Sequence, residues 1–171
     1  LTPFSHRHLN KKLNFRCTHP SNRDWEEPQE FFDFLSSFIP KLNFGTLIGY
    51  HTVRNYVGGA PESDPSADEL SAISRVAASA LGAGAFGVSV DFKNPHGALI
   101  SKKVMKELSA VVRAHGGVLA ITPHEDEDAG DTLLHAYALS HSGGISVEIN
   151  HFEKGEKESH AAFQSAHARL E

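Results

Sequence analysis

The chain has 171 residues, 16 Lys+Arg against 21 Asp+Glu, a formal net charge of −5, and is 40% hydrophobic and 22% charged. That composition excludes wholesale disorder, and its mild acidity argues against a nucleic-acid-binding face. No apolar run approaches the roughly 18–20 residues needed to span a bilayer, and no signal-type segment opens the chain. Cys17 is the only cysteine, so an intrachain disulfide is excluded and a cytoplasmic protein is expected. Two features stand out: 12 histidines, and a first residue, Leu1, that fits a processed chain or an excerpt of a longer one.

Residues 1–23 are basic, rich in His and Asn, and show neither apolar period; they read as an irregular lead-in. Organised sequence begins at Asp24, a capping residue for a helix carrying Phe31, Phe32, Phe34, Leu35 and Phe38 at helical spacing and stopped by Pro40. The apolar run Phe44 to Gly49 has strand length, and residues 55–65, with two glycines and two prolines, read as a loop. Ser66 and Glu69 form a capping box opening a helix to about Leu81. A strand Ala85–Val90, a helix Ser101–Ala114, a strand Val118–Thr122, a helix Asp131–Ser140, a strand Ile145–Ile149 and a helix from about Lys157 follow, most of them closed by glycine or proline.

The order from residue 24 to 171 is therefore α-β-α-β-α-β-α-β-α, and right-handed crossovers make the four strands parallel. Two architectures fit: an arc of four β-α units from a (β/α)8 barrel, or an open, doubly wound parallel sheet. In both, function sits where the strands end. The first strand is followed by His51 and Arg54, the second delivers Ser89 and Asp91, the third is followed by His124 and the fourth by His151. Three histidines and an aspartate at four consecutive strand ends fit a metal or acid/base site built on one rim. Gly82-Ala83-Gly84-Ala85-Phe86-Gly87 matches G-x-G-x-x-G, but it follows a helix and precedes a strand, the reverse of a dinucleotide-binding context.

The same blocks, in the same order, resemble the N-acyl-D-amino-acid deacylases (D-aminoacylases) of the amidohydrolase superfamily. The resemblance runs from Trp25 to the end. It rests on the aromatic helix Trp25–Phe38, the block Gly49-Tyr50-His51-Thr52-Val53-Arg54, Gly87-Val88-Ser89-Val90-Asp91-Phe92, Gly116-Gly117-Val118 through His124, and Glu148-Ile149-Asn150-His151. It implies a (β/α)8 barrel that uses zinc to hydrolyse the amide of an N-acylated D-amino acid, with a small-molecule substrate and neither nucleic acid nor membrane as partner. Carried over by position, His151 is a zinc ligand and His124 a second ligand or substrate contact. Arg54 and Ser89 are substrate-binding residues, and Asp91 and His51 catalytic candidates on the rim.

The chain departs from the family at several of these points. The second strand-borne zinc histidine falls at Thr122, with His124 two residues on, in the place of a substrate-binding arginine. The block histidine falls at Tyr50, with His51 displaced by one, and the first-strand H-x-H and late-strand aspartate have no counterpart. A barrel takes about 250 residues, so four units are expected to be part of a longer protein. Their open edges favour self-association of the isolated piece. Two further readings remain open: a barrel that has lost its metal and serves as a binding scaffold, and an amidohydrolase for another amide or cyclic amide.

Overall fold

In the computed structural model the described residues are 27–37, 43, 45–58, 60, 62–93, 100–123 and 129–150, with the isolated positions 164 and 168. The lead-in 1–23, Asp24, Trp25, Pro40, His124, His151 and the start of the expected last helix lie outside them. The elements are α1 (Pro28–Ser36), β1 (Leu47–Gly49), α2 (Tyr50–Val57), α3 (Ala67–Gly82), β2 (Gly87–Asp91), α4 (Lys102–Ala114), β3 (Val118–Thr122), α5 (Ala129–Gly143) and β4 (Ser146–Ile149).

Local chemistry explains most of these boundaries. Helix α1 starts with Pro28 at its first turn, where a missing N–H costs nothing, and Glu27 with Glu30 makes its capping box. Its one fully buried aromatic, Phe31, meets the edge of Phe32 at 5.2 Å. Helix α3 opens on the expected Ser66/Glu69 box and buries Leu70, Ile73, Ala77, Ala80 and Leu81 at helical spacing. Ser101 caps α4 through Val104 N–H. Beyond α4 and α5 the chain turns through Gly116 and Gly144 in the left-handed region (φ 64° and 60°), where a side chain would be strained.

Helix α2 corrects the sequence reading, which had no helix after the first strand and a loop from residue 55. It follows β1 with no intervening loop, carries no side-chain cap and ends at Gly58. Tyr50, Val53 and Val57, at i, i+3 and i+7, carry the helical period that marks it.

The four strands pair in parallel and in chain order, β1-β2-β3-β4. This order decides between the two architectures. A doubly wound sheet needs the strand order to reverse at one point, so that helices fall on both faces. Sequential order with right-handed crossovers puts every connecting helix on the same face. The core agrees: Ile48, Val88, Val90, Leu119 and Ile121 are buried in one cluster with Ile73 and Ala77 of α3 and Val104, Leu108 and Val112 of α4. The alternating residues Gly49, Ser89, Ala120 and Glu148 turn to the other face. The side chains on that face are small or polar, and Thr52 of α2 lies against it at Gly49. The structure is thus a singly wound arc of β-α units, and the doubly wound alternative is set aside. Among the described residues β1 and β4 each lack a partner on their outer side, and no described helix is long and apolar enough to cross a membrane.

The ladder is tightest at Gly87. A Cβ there would lie 1.9 Å from the carbonyl oxygen of Val118, its register partner in β3, and backbone has nowhere to go. Nothing lies within 4 Å of a Cβ at Gly82. Gly87→Ala is therefore expected to lower the unfolding free energy from a denaturant melt by roughly 1–3 kcal/mol or more. Gly82→Ala should leave it unchanged or raise it by about 0.5–1 kcal/mol. Equal effects would contradict the register.

Candidate active site

The carboxyl ends of the strands form one rim. Gly49 and Ser89 share a level across β1 and β2, and Asp91 and Thr122 share a higher level across β2 and β3. The ladder continues past the strands: Phe92 N–H donates to Thr122 O at 2.9 Å, and Asn150 N–H to Ile121 O at 2.8 Å. The rim is thus held by main-chain bonds up to the last described residue before His151.

His51 belongs to this rim. It lies in the first turn of α2, half-buried, and its Nε2 is 2.7 Å from the main-chain oxygen of Asp91. A carbonyl can only accept, so Nε2 carries the proton and a neutral ring keeps its lone pair at Nδ1. The Tyr50 ring stands edge-on to it at 5.4 Å. The Asp91 carboxylate accepts the Lys93 N–H at 2.9 Å, an Asx turn that fixes the chain as it leaves β2. Ser89 is half-buried on the inner face, with its Oγ 3.5 Å from Ile48 O, at the outer limit of a hydrogen bond. The structure therefore brings three of the sequence-selected residues, His51, Ser89 and Asp91, to one rim. His124 and His151 lie outside the described residues.

Arg54 stands elsewhere. It faces inward from α2 with 1% exposure, and it donates to Gly58 O, to Ala60 O at 3.0 Å and to Glu69 Oε1 at 3.2 Å. The guanidinium that the family resemblance gives to a substrate carboxylate is here bonded to this chain's own acceptors, tying the Gly58 and Ala60 carbonyls to the start of α3. Glu69 completes the clamp: its other oxygen accepts Ser66 N–H at 2.7 Å. Nothing in residue spacing links Arg54 to Glu69; the two readings, carboxylate binder and helix cap, come from separate local patterns.

The clamp sets the acid behaviour. The Ser66 main-chain N–H, then the Ser66 side chain, then Arg54 hold the Glu69 carboxyl below its ordinary range. Burial lifts the Tyr50 hydroxyl above its usual value against the pull of Arg54, with Asp64 adding to the rise.

The described residues do not make a metal site on their own, since no group of three or more His, Cys, Asp or Glu occurs among them. Thr122, at the strand position where the family resemblance has a zinc histidine, offers only a hydroxyl, and it sits beside Asp91 in the ladder.

Comparison with known proteins agrees with the arc. D-aminoacylase in complex with CuCl2 superposes with a TM-score of 0.71 at 24% identity, over 85% of this chain and 32% of that one. A D-aminoacylase with a binuclear metal centre gives 0.70 at 23%, over the same shares. N-acyl-D-glutamate deacylase from Bordetella bronchiseptica, complexed with zinc and a phosphonate inhibitor, gives 0.68 at 18%, over 87% of this chain and 33% of that one. The fold is therefore that of consecutive β-α units of a D-aminoacylase-type barrel, with three strand–helix units and a fourth strand among the described residues. In sequence the chain resembles the N-acyl-D-glutamate deacylase of Alcaligenes xylosoxydans xylosoxydans, 26% identical over 122 residues, which are 71% of this chain and 25% of that protein. No family model matches the chain. It spans about a quarter to a third of the length of these relatives.

Two outcomes follow from the Arg54 clamp. Arg54→Ala takes one donor each from the Gly58 carbonyl, the Ala60 carbonyl and Glu69, and should cost about 1–3 kcal/mol of unfolding free energy in a denaturant melt. Glu69 has a depressed pKa when folded, so its stabilisation is full above the unfolded value of about 4.3 and is lost as pH falls through the lower folded value. The stability gap between wild type and Glu69→Gln should accordingly close between about pH 6 and about pH 3. A gap that stays constant over that range would contradict the clamp.

Proposed function

We propose that this chain is the central part of a metal-dependent amidohydrolase that cleaves the amide bond of N-acyl-D-amino acids. The observation that carries the reading is the rim. Consecutive parallel strands end in Asp91, in the segment leading to His124 and in the segment leading to His151, on an arc whose fold is that of D-aminoacylases and whose sequence resembles an N-acyl-D-glutamate deacylase.

In this reading His151, two residues beyond β4, and His124, two beyond β3, are the metal ligands, and the metal is zinc. Zinc in such a site polarises an amide carbonyl and acidifies a bound water. The chain's own residues position and exchange protons. His51 stands at the rim with its Nε2–H anchored on Asp91 O, which fixes the ring where an imidazole can exchange a proton with a bound substrate. The Asp91 carboxylate, held by Lys93 N–H, faces the same rim as a second proton acceptor. Ser89, below it on the inner face, offers a hydroxyl to a substrate polar group. Arg54 acts at one remove, by holding the Gly58 and Ala60 carbonyls. Residues 24–171 form one barrel segment preceded by the lead-in 1–23, and the open β1 and β4 edges support self-association of this segment when isolated.

One observation favours a second reading. Thr122 occupies the strand end where the family resemblance has a zinc histidine, so a barrel without metal, kept as a binding scaffold, also fits. Metal analysis of the complete protein, purified without chelators, separates the two. The hydrolase reading expects near-stoichiometric zinc, lost in His151→Ala along with at least about 100-fold of the N-acyl-D-amino-acid hydrolysis. A folded protein without bound metal or hydrolytic activity would establish the scaffold instead.

A further inference from the structure

A second feature lies on the helical side of the arc, away from the rim. Helices α4 and α5 border a groove of about 550 Å³, within the range of small-molecule pockets. Its lower wall is one face of α4: Lys102, Met105, Lys106, Ser109 and Arg113, at i, i+3, i+4, i+7 and i+11. The facing wall is α5, with Leu139 four residues beyond His135. The ends are closed by different contacts. At one, the rings of Phe92 and His135 stand 6.1 Å apart; at the other, Arg113 Nη1 donates to Gly143 O at 3.1 Å.

Two observations say what chemistry fits it. The first is Ser109, which is 7% exposed in the groove wall and whose hydroxyl has no hydrogen-bond partner among the described residues. That oxygen is occluded in the groove wall, and turning it outward onto a ligand oxygen would give it the partner it lacks. The second is charge. The chain as a whole is acidic, at −5, yet the described lining holds Lys102, Lys106 and Arg113 and no acid. Lys106 and Ser109 are three apart on one helix face and so reach the same ligand group, while Ile100, Met105 and Leu139 offer apolar wall.

The geometry points to a binding site for a medium-chain carboxylate. The carboxylate lies between the Lys102–Lys106 edge and the Ser109 hydroxyl, and the tail runs along Met105, Ile100 and Leu139. The site is separate from the proposed hydrolytic rim and does not depend on it.

Calorimetric titration of the purified protein with octanoate and with 1-octanol tests this, since both carry the same tail and only one carries a charge. Octanoate is expected to bind at least about ten-fold more tightly. Lys102→Glu combined with Lys106→Glu should abolish that preference without changing the far-UV spectrum, because both lysines are exposed. Ser109→Ala should weaken octanoate several-fold. Equal affinity for the two ligands, no octanoate binding, or a preference that survives the double charge reversal would each overturn the assignment.

Discussion

Four parallel strands hydrogen-bonded in strict chain order are the constraint on which everything else in this chain rests. Once the order is sequential, right-handed connections leave the helices only one face to occupy. The apolar residues Ile48, Val88, Val90, Leu119 and Ile121 then meet the helices, and their neighbours Gly49, Ser89, Asp91, Ala120 and Thr122 meet the other side. A small, partly polar inner face and a rim of polar strand ends follow from the period of two, with no further instruction from the sequence. The closeness of β2 and β3 at Gly87 shows how little freedom the register has: no side chain fits between that Cα and the Val118 carbonyl.

Much of this was legible in the residues. The Ser66/Glu69 box, Ser101, the Gly-Gly closures and the apolar runs placed α3, α4, β3 and β4 to within a few residues, because each is signalled by chemistry local to it. The string of elements alone fits both barrel arc and doubly wound sheet, which differ only in which strands are neighbours; the family resemblance implied the barrel, and the sequential strand order agrees with it. Helix α2 was missed because it has no capping side chain and no loop before it; only Tyr50, Val53 and Val57 mark it.

The site divides in the same way. His51, Ser89 and Asp91 were selected for their places at strand ends, and they lie at neighbouring positions at the ends of β1 and β2. The partner of His51 did not follow: it is the main-chain oxygen of Asp91, and no side-chain pattern encodes a carbonyl. Arg54 shows the limit most clearly. Its position in a resembling block suggested a substrate contact, whereas a buried guanidinium is governed by whichever acceptors surround it, here the Gly58 and Ala60 carbonyls and Glu69. Long-range pairing of that kind is a property of the packed chain.

The central claim is that this arc supplies strands three and four of its own count, with His124 and His151 beyond them, to a metal-bearing rim. Anomalous X-ray scattering at the zinc absorption edge, from crystals of the complete protein, tests it most directly. The account predicts a strong peak at the carboxyl ends of β3 and β4, within bonding distance of His151. A peak elsewhere, or a well-ordered rim with no anomalous signal in zinc-supplemented crystals, would contradict it.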